Sequence, residues 1–274
     1  MDQLRINVKV LGYVFDSKRS EILSGAQSYA QNPDLIAAVE KGDKKQLGEY
    51  VRRFISSKNE SSLVVTNESG MVLARGEDSE RIGDSLSGDS LVRRALLGNS
   101  VTSVITSAGV LAPVMSIKAA APVVSGTKII GAVISGTVLD MAFVDGIKKS
   151  TGLDAMIYSG NRISAGTINS IDGKTRLIGI SEENQTVRDM VLNKGVSYAG
   201  LVLLNNLEYL SAYEPVKDID ANPVGMLFVG KPEFSILMAA GRSIELTFIT
   251  TAVLLVISIF PAYLISRFIS GQIR

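Results

Sequence analysis

Apolar residues recur at helical spacing at the start of the chain: Leu4, Val8, Leu11, Phe15, Ile22, Ala26 and Tyr29 stand three, four or seven apart. This predicts one long amphipathic helix over residues 3–31, with a slip of phase at residues 16–20 where a bend or a change of packing partner is expected. Asn32-Pro33 ends it, because proline disfavours helix in the residue before it. Asp34 is the expected cap of a second helix to about residue 57, with Leu35, Val39, Leu47, Val51, Phe54 and Ile55 as its apolar stripe and an interruption at Gly42-Asp43.

From Ser61 the pattern changes to short β-branched runs. Residues 62–66 and 71–75 flank the turn Asn67-Glu68-Ser69-Gly70 and read as a hairpin. A polar loop follows, then a short helix over residues 91–97 capped by Asp89 or Ser90 and ended by Gly98-Asn99. Strands are expected at residues 101–106, 113–124 and 128–139, and an amphipathic segment at 141–150. The same order then recurs. V-R-R-A-L-L-G-N-S-V (92–101) returns as V-R-D-M-V-L-N-K-G-V (187–196), and A-P-V with G-A-V-I-S-G (121–136) as E-P-V with G-M-L-F-V-G (214–230). The offset is 95 residues for the first motif and 93 or 94 for the second, a domain's length and far beyond a solenoid repeat. The pattern predicts an α+β chain containing two copies of one unit. The second unit's strands fall at residues 155–158, 162–165, 197–204, 208–216 and 223–230.

Residues 246–266, LTFITTAVLLVISIFPAYLIS, carry no charge between Glu245 and Arg267. At ~1.5 Å per residue this run reaches roughly 30 Å, the thickness of a bilayer's hydrocarbon core, so a transmembrane helix is expected there. Its helix is expected to begin near Phe234. Arg267 and Arg274 after the span favour a cytoplasmic C-terminus, with residues 1 to about 245 outside. The start, MDQLRINVKVLGYVF, has no apolar run long enough for a signal peptide or a first span. An exported domain needs one, so a preceding span is expected to be missing from this sequence.

Composition removes many chemistries. Lys and Arg number 28 and Asp and Glu 27, so no overall field points to nucleic acid. Cysteine and histidine are absent, which removes thiolate and imidazole ligands, thiol nucleophiles and every histidine-based triad. No phosphate cradle of the G-x-x-x-x-G-K-[ST] or G-x-G-x-x-G kind is present. Neither a catalytic constellation nor a cofactor or metal site is visible. What remains is a binding sheet. Alternation puts Val114, Ser116, Lys118 and Ala120 on one face of a strand, where Lys118 is the lone cation. It reads equally well as an edge lysine that discourages aggregation or as an anchor for an anion.

T-N-E-S-G-M-V-L-A-R (66–75), R-I-G-D-S-L (81–86), V-R-R-A-L-L-G (92–98) and A-A-P-V…I-I-G-A-V-I-S-G (120–136), in that order after a long leading helix, resemble the double Cache sensor region of bacterial chemoreceptors and sensor histidine kinases. The resemblance covers roughly residues 1–233. It implies two tandem PAS-like domains, over residues 59–152 and 153–233, after a helical segment at 1–58. It also implies a juxtamembrane and membrane helix at 234–266, and the start of a HAMP-like linker at 267–274, where Gln272 stands in place of the family's proline. A membrane-distal unit that grips a small organic ligand is implied too, with Arg75, Ser103, Ser116, Lys118 and Ser135 as candidate contacts. Related citrate and dicarboxylate sensors place a basic residue four positions before the strand's proline, as Lys118 stands before Pro122. Their second cation is replaced here by Ala120, which points to a smaller carboxylate. The expected partners are this ligand, the lipid bilayer and a second copy of the chain. The expected role is signal transduction without catalysis. A structural or protein-interaction domain is the rival, and an occluded apolar cavity over Lys118 would favour it.

Overall fold

The computed structural model describes residues 2–58, 60–170, 173–233, 249–251 and 253–254. Helix α1 (Asp2–Ala30) runs unbroken through residues 16–20, where a bend or a change of packing partner was expected. Its buried side chains are Leu11, Phe15, Ile22, Ala26, Tyr29 and Ala30, so the phase slip leaves a gap of two turns in the seam and no break in the helix. Helix α2 (Pro33–Lys41) is capped by Asn32 and not by Asp34: the Asn32 side-chain oxygen accepts the N–H groups of Asp34 (2.9 Å) and Leu35 (3.2 Å). Pro33 fits the first turn because its missing N–H would have no partner there. Gly42, at φ 62°, ends α2, and the Asp43 carboxylate accepts the Gln46 N–H at the start of α3 (Lys44–Lys58).

Two five-stranded antiparallel sheets follow. The first holds β1 (Ser62–Asn67), β2 (Val72–Arg75), β3 (Val101–Ser107), β4 (Val114–Ser125) and β5 (Lys128–Val138), in the order β2-β1-β5-β4-β3. The second holds β6 (Asp154–Ser159), β7 (Arg162–Gly166), β8 (Tyr198–Leu204), β9 (Leu207–Lys217) and β10 (Pro223–Pro232), in the corresponding order β7-β6-β10-β9-β8. Helix α4 (Ser90–Leu96) lies between β2 and β3, and α5 (Met141–Thr151) joins the units. In α4's place the second unit has α6 (Gln185–Arg188) followed by a π-helical turn, Asp189–Asn193. The chain is thus α+β, and the repeat read from the sequence is a repeat of topology.

The repeated motif residues have physical jobs. A Cβ on Gly131 would lie 2.1 Å from the Thr66 carbonyl oxygen, and one on Gly225 would lie 2.1 Å from that of Tyr158. Both glycines therefore let the last strand of each unit close on its hairpin strand. Pro122 and Pro215 lie beyond the last pairs of β3 and β8, Val101 with Ala120 and Tyr198 with Tyr213, so no ladder bond is lost on that side.

One apolar core spans both units. It joins Leu11, Phe15, Ile22 and Ala26 of α1 to Leu63, Ile117, Ala119 and Val133 of the first sheet and to Ala212, Leu227 and Val229 of the second. The opposite face of each sheet has its own cluster, under α4 in the first unit and under α6 and the π turn in the second. The helix expected from Phe234, most of the membrane span and the HAMP-like start lie outside the described residues. Among the described residues no helix is long and apolar enough to cross a membrane.

Because α1 is common to both units, they should lose structure together. Ile22→Ala, which removes a buried side chain from the shared core, should destabilise the chain by about 2–5 kcal/mol. Urea denaturation followed by circular dichroism should show one transition before and after the change. Two separated transitions would show the units to be independent.

Candidate ligand-binding site

Strand register decides which side chains face α4. Val101 pairs with Ala120, Ser103 with Lys118 and Ile105 with Ser116, and these three pairs share one face. Ala120, Ile134 and Val64 of that face pack with Leu91, Val92 and Ala95 of α4. Asp89 holds α4 in place, since its carboxylate accepts the Leu91 (2.8 Å) and Val92 (3.1 Å) N–H groups. Toward the hairpin the packing opens into a cavity of about 390 Å³, lined by Ser62, Val64, Arg75, Lys118, Leu91, Val92 and Ile134 and by the loop between β2 and α4.

Lys118 enters this cavity from the floor. It pairs across β5 with Gly136, where a Cβ would stand 3.0 Å from Lys118 Cγ and 2.7 Å from the Ser62 hydroxyl. The glycine makes room for the lysine stem. Among the described residues the Lys118 ammonium makes no ion pair or hydrogen bond, although the residue is half-buried. Arg75 is arranged differently. It is buried, donates to Asp84 at 3.0 Å and stands 3.9 Å from Glu77. Glu77 in turn accepts the Leu63 N–H. Backbone bonds from Val72 to Asp84 and from Gly83 to Val72, both 2.9 Å, stitch the same loop to β2. Arg75 thus clamps the covering loop. Its guanidinium holds the Asp84 carboxyl below the ordinary aspartate range. The wall also carries Arg81, Asp78 and Asp89, so three cations face three carboxylates.

Of the candidate contacts from the sequence, Arg75 and Lys118 are brought together in the cavity wall. Ser116 shares the Lys118 face, one residue pair further from the lining. The Ser103 hydroxyl donates to the Val104 carbonyl (3.2 Å) and accepts the Ile219 N–H (3.0 Å). Ser135 faces the other way, its hydroxyl donating to the Ile22 carbonyl of α1 at 3.3 Å. Arg81 and Asp89 were missed as wall residues, although Arg81 opens the motif R-I-G-D-S-L and Asp89 was an expected cap of α4.

In the second unit the positions under the helix carry aromatic rings. Ala120 pairs with Ile134 in the first sheet, and Tyr213 with Phe228 at the matching place in the second. Thr66 pairs with Ala132, and Tyr158 with Met226. Lys118 with Gly136 corresponds to Ser211 with Gly230, and the Ser211 hydroxyl is spent on the Gly200 carbonyl at 2.8 Å. Buried Glu182 accepts the hydroxyls of Tyr213 (2.7 Å) and Tyr158 (3.2 Å) and the Asn184 N–H (2.9 Å). Burial, reinforced by Glu182, pushes both phenols well above their ordinary pKa, so they stay protonated donors. A recess of about 250 Å³ remains beside Glu182, and another of about 430 Å³ lies along Lys148, Asp154, Thr167 and Tyr209.

A family described as the double sensory domain of two-component sensor kinases matches residues 1–236, and the chain belongs to it. No curated protein sequence matches significantly. Among solved structures, the periplasmic domain of Vibrio cholerae LuxQ aligns with a TM-score of 0.55 at 12% identity, covering 84% of this chain and 100% of that one. The sensor domain of the V. cholerae histidine kinase DctB aligns at 0.52 and 9% identity, covering 85% and 96%. The ligand-binding domain of the Campylobacter jejuni chemoreceptor Tlp3, in complex with 4-methylisoleucine, aligns at 0.52 and 14% identity, covering 84% and 88%. At these identities the likeness is one of fold.

The Arg75–Asp84 clamp has a defined pH signature. The folded-state pKa of Asp84 lies below its ordinary 3.8, so the pair stabilises above that value and is lost as pH falls through the lower folded value. Thermal midpoints of wild type and Asp84→Asn, taken from pH 5 to pH 2, should converge as the wild type loses the pair. Parallel curves would show that the clamp adds nothing.

Proposed function

We propose that this double sensory domain is the extracytoplasmic part of a bacterial transmembrane receptor, and that a small organic ligand carrying a carboxylate binds in the cavity over Lys118. The observation that carries this reading is the unpaired Lys118 ammonium in the wall of a polar, open cavity whose other cations already have partners or lie in the covering loop. An ammonium with no ion pair or hydrogen bond of its own is free to take a bound carboxylate through a charge-assisted bond. The three wall carboxylates favour a ligand that also carries an ammonium or hydroxyl groups, for which a small zwitterion of the amino-acid class is suited. The complex of the Campylobacter receptor with 4-methylisoleucine supports that class. The cavity is polar and not an occluded apolar one, which favours a sensor over a purely structural domain. The second unit, which has Ser211 and no unpaired cation at the place equivalent to Lys118, serves transmission.

The apolar run at residues 246–266 would then anchor the chain in the membrane, with residues 1 to about 245 outside and the C-terminus in the cytoplasm, where an output module would follow. A homodimer is expected through α1, whose Tyr13 and Val10 are exposed away from the core.

A thermal-shift screen of amino acids, succinate and citrate should find stabilisation of the wild type, about 2.7 kcal/mol at a hundredfold excess over Kd. Lys118→Ala should weaken the best ligand by ~1.5–3 kcal/mol through loss of a charge-assisted bond. Equal stabilisation of wild type and variant would remove Lys118 as the anchor. For the orientation, cysteines placed at Ser79 and Ser270 should label differently with an impermeant thiol reagent in intact cells. Ser79→Cys should react and Ser270→Cys should not; the reverse would invert the topology.

A further inference from the structure

The two units meet at a second place, away from α1. Between β9 and β10 the turn at residues 218–222 is fixed by its own bonds. The Asp218 carboxylate accepts the N–H groups of Asp220 and Asn222, each at 2.9 Å, and the Asp218 N–H donates to the Asn222 carbonyl at 3.0 Å. Ala221 is held at φ 65°, a left-handed conformation that an L side chain adopts at a cost. A turn so constrained presents its outward groups as one rigid body.

Those groups grip the unit that holds the cavity. The Ile219 N–H donates to the Ser103 hydroxyl at 3.0 Å, and Arg94 of α4 pairs with the Asp220 carboxylate at 2.7 Å. The Ile219 side chain packs on the cluster that contains Leu91, Val92, Ala120 and Ile134. Three of these, Leu91, Val92 and Ile134, also line the cavity. Ser103 is the direct ladder partner of Lys118. The turn therefore touches two walls of the cavity from the side: α4 through Arg94 and the β3–β4 pair through Ser103. The Arg94–Asp220 pair is exposed and weak alone, while the Ser103 bond is buried, so Ser103 sets the position and Arg94 the alignment.

We propose that the β9–β10 turn is a latch that couples the cavity of the first unit to the exit strand of the second. This rests on the reading that the cavity is the ligand site, and it assigns Ser103 a positioning role beside that site. A ligand drawing α4 and Lys118 together shifts both grips of the turn. The turn passes directly into β10, which runs to Pro232 at the end of the described domain. By reciprocity, loosening the turn must loosen the cavity wall by the same coupling energy.

Amide hydrogen exchange of the whole chain in detergent, without any ligand, tests this. The pair Ser103→Ala with Asp220→Ala should accelerate exchange in α4, read at Arg93 and Leu97, by about fivefold or more, and leave Met226 and Tyr158 unchanged. In the other direction, Leu91→Ala in the cavity wall should accelerate the Ile219 amide by a similar factor. Unchanged α4 amides, or equal acceleration of every amide, would overturn the latch. With no ligand present, that failure is independent of whether Lys118 binds a carboxylate.

Discussion

The apolar seam between α1 and the two sheets is the constraint on which the other features depend. A 29-residue helix cannot bury its stripe against one five-stranded sheet alone, since at ~1.5 Å per residue it is roughly 43 Å long. It lies across β4 and β5 of one unit and β9 and β10 of the other, and its side chains join both into one core. With that face of each sheet covered, the second face is left for α4 or its counterpart. The helix therefore fixes how the two units are held and leaves the other face of each sheet to the local helix.

Given one topology twice, the two copies differ in the side chains that stand under their helices. In the first unit Val64 and Ile134 line the cavity, Ala120 and Ala132 lie on the same face under α4, and Gly136 stands beside the Lys118 stem. In the second, Tyr213, Met226 and Phe228 stand at the equivalent places, and the Glu182–Tyr158–Tyr213 network closes part of the remaining space. The same backbone thus carries two different sets of side chains beneath its helices. Arg75 contributes by holding the covering loop through Asp84 and Glu77, while the Lys118 ammonium makes no ion pair among the described residues.

Much of this was legible in the sequence, for definite reasons. Periodicity gave α1, α3 and nearly every strand, because each element has one face against a core and one face turned elsewhere. The duplication was readable because glycine and proline mark backbone requirements that both copies share: close approach at Gly131 and Gly225, and a free edge at Pro122 and Pro215. Lys118 stood out as a lone cation in an apolar strand. Ser103 and Ser135 did not sort themselves from sequence. Alternation shows that 103 and 135 sit on their strands, but which face looks at α1 depends on tertiary packing. Ser103 could be understood only with the turn at residues 218–222 beside it, more than a hundred residues away. The cap of α2 was misplaced by two residues because Pro33 admits a cap before it, which moves the helix start to Asn32.

The central claim is that a single site, in the first unit, takes the ligand through Lys118. A crystal structure of the chain with the carboxylate that raises its thermal midpoint most would test it directly. The account predicts the ligand between α4 and the first sheet, its carboxylate within hydrogen-bonding distance of the Lys118 ammonium, with the aromatic rings of the second unit unchanged. A ligand seated against Glu182 in the second unit, with the first cavity empty, would contradict it.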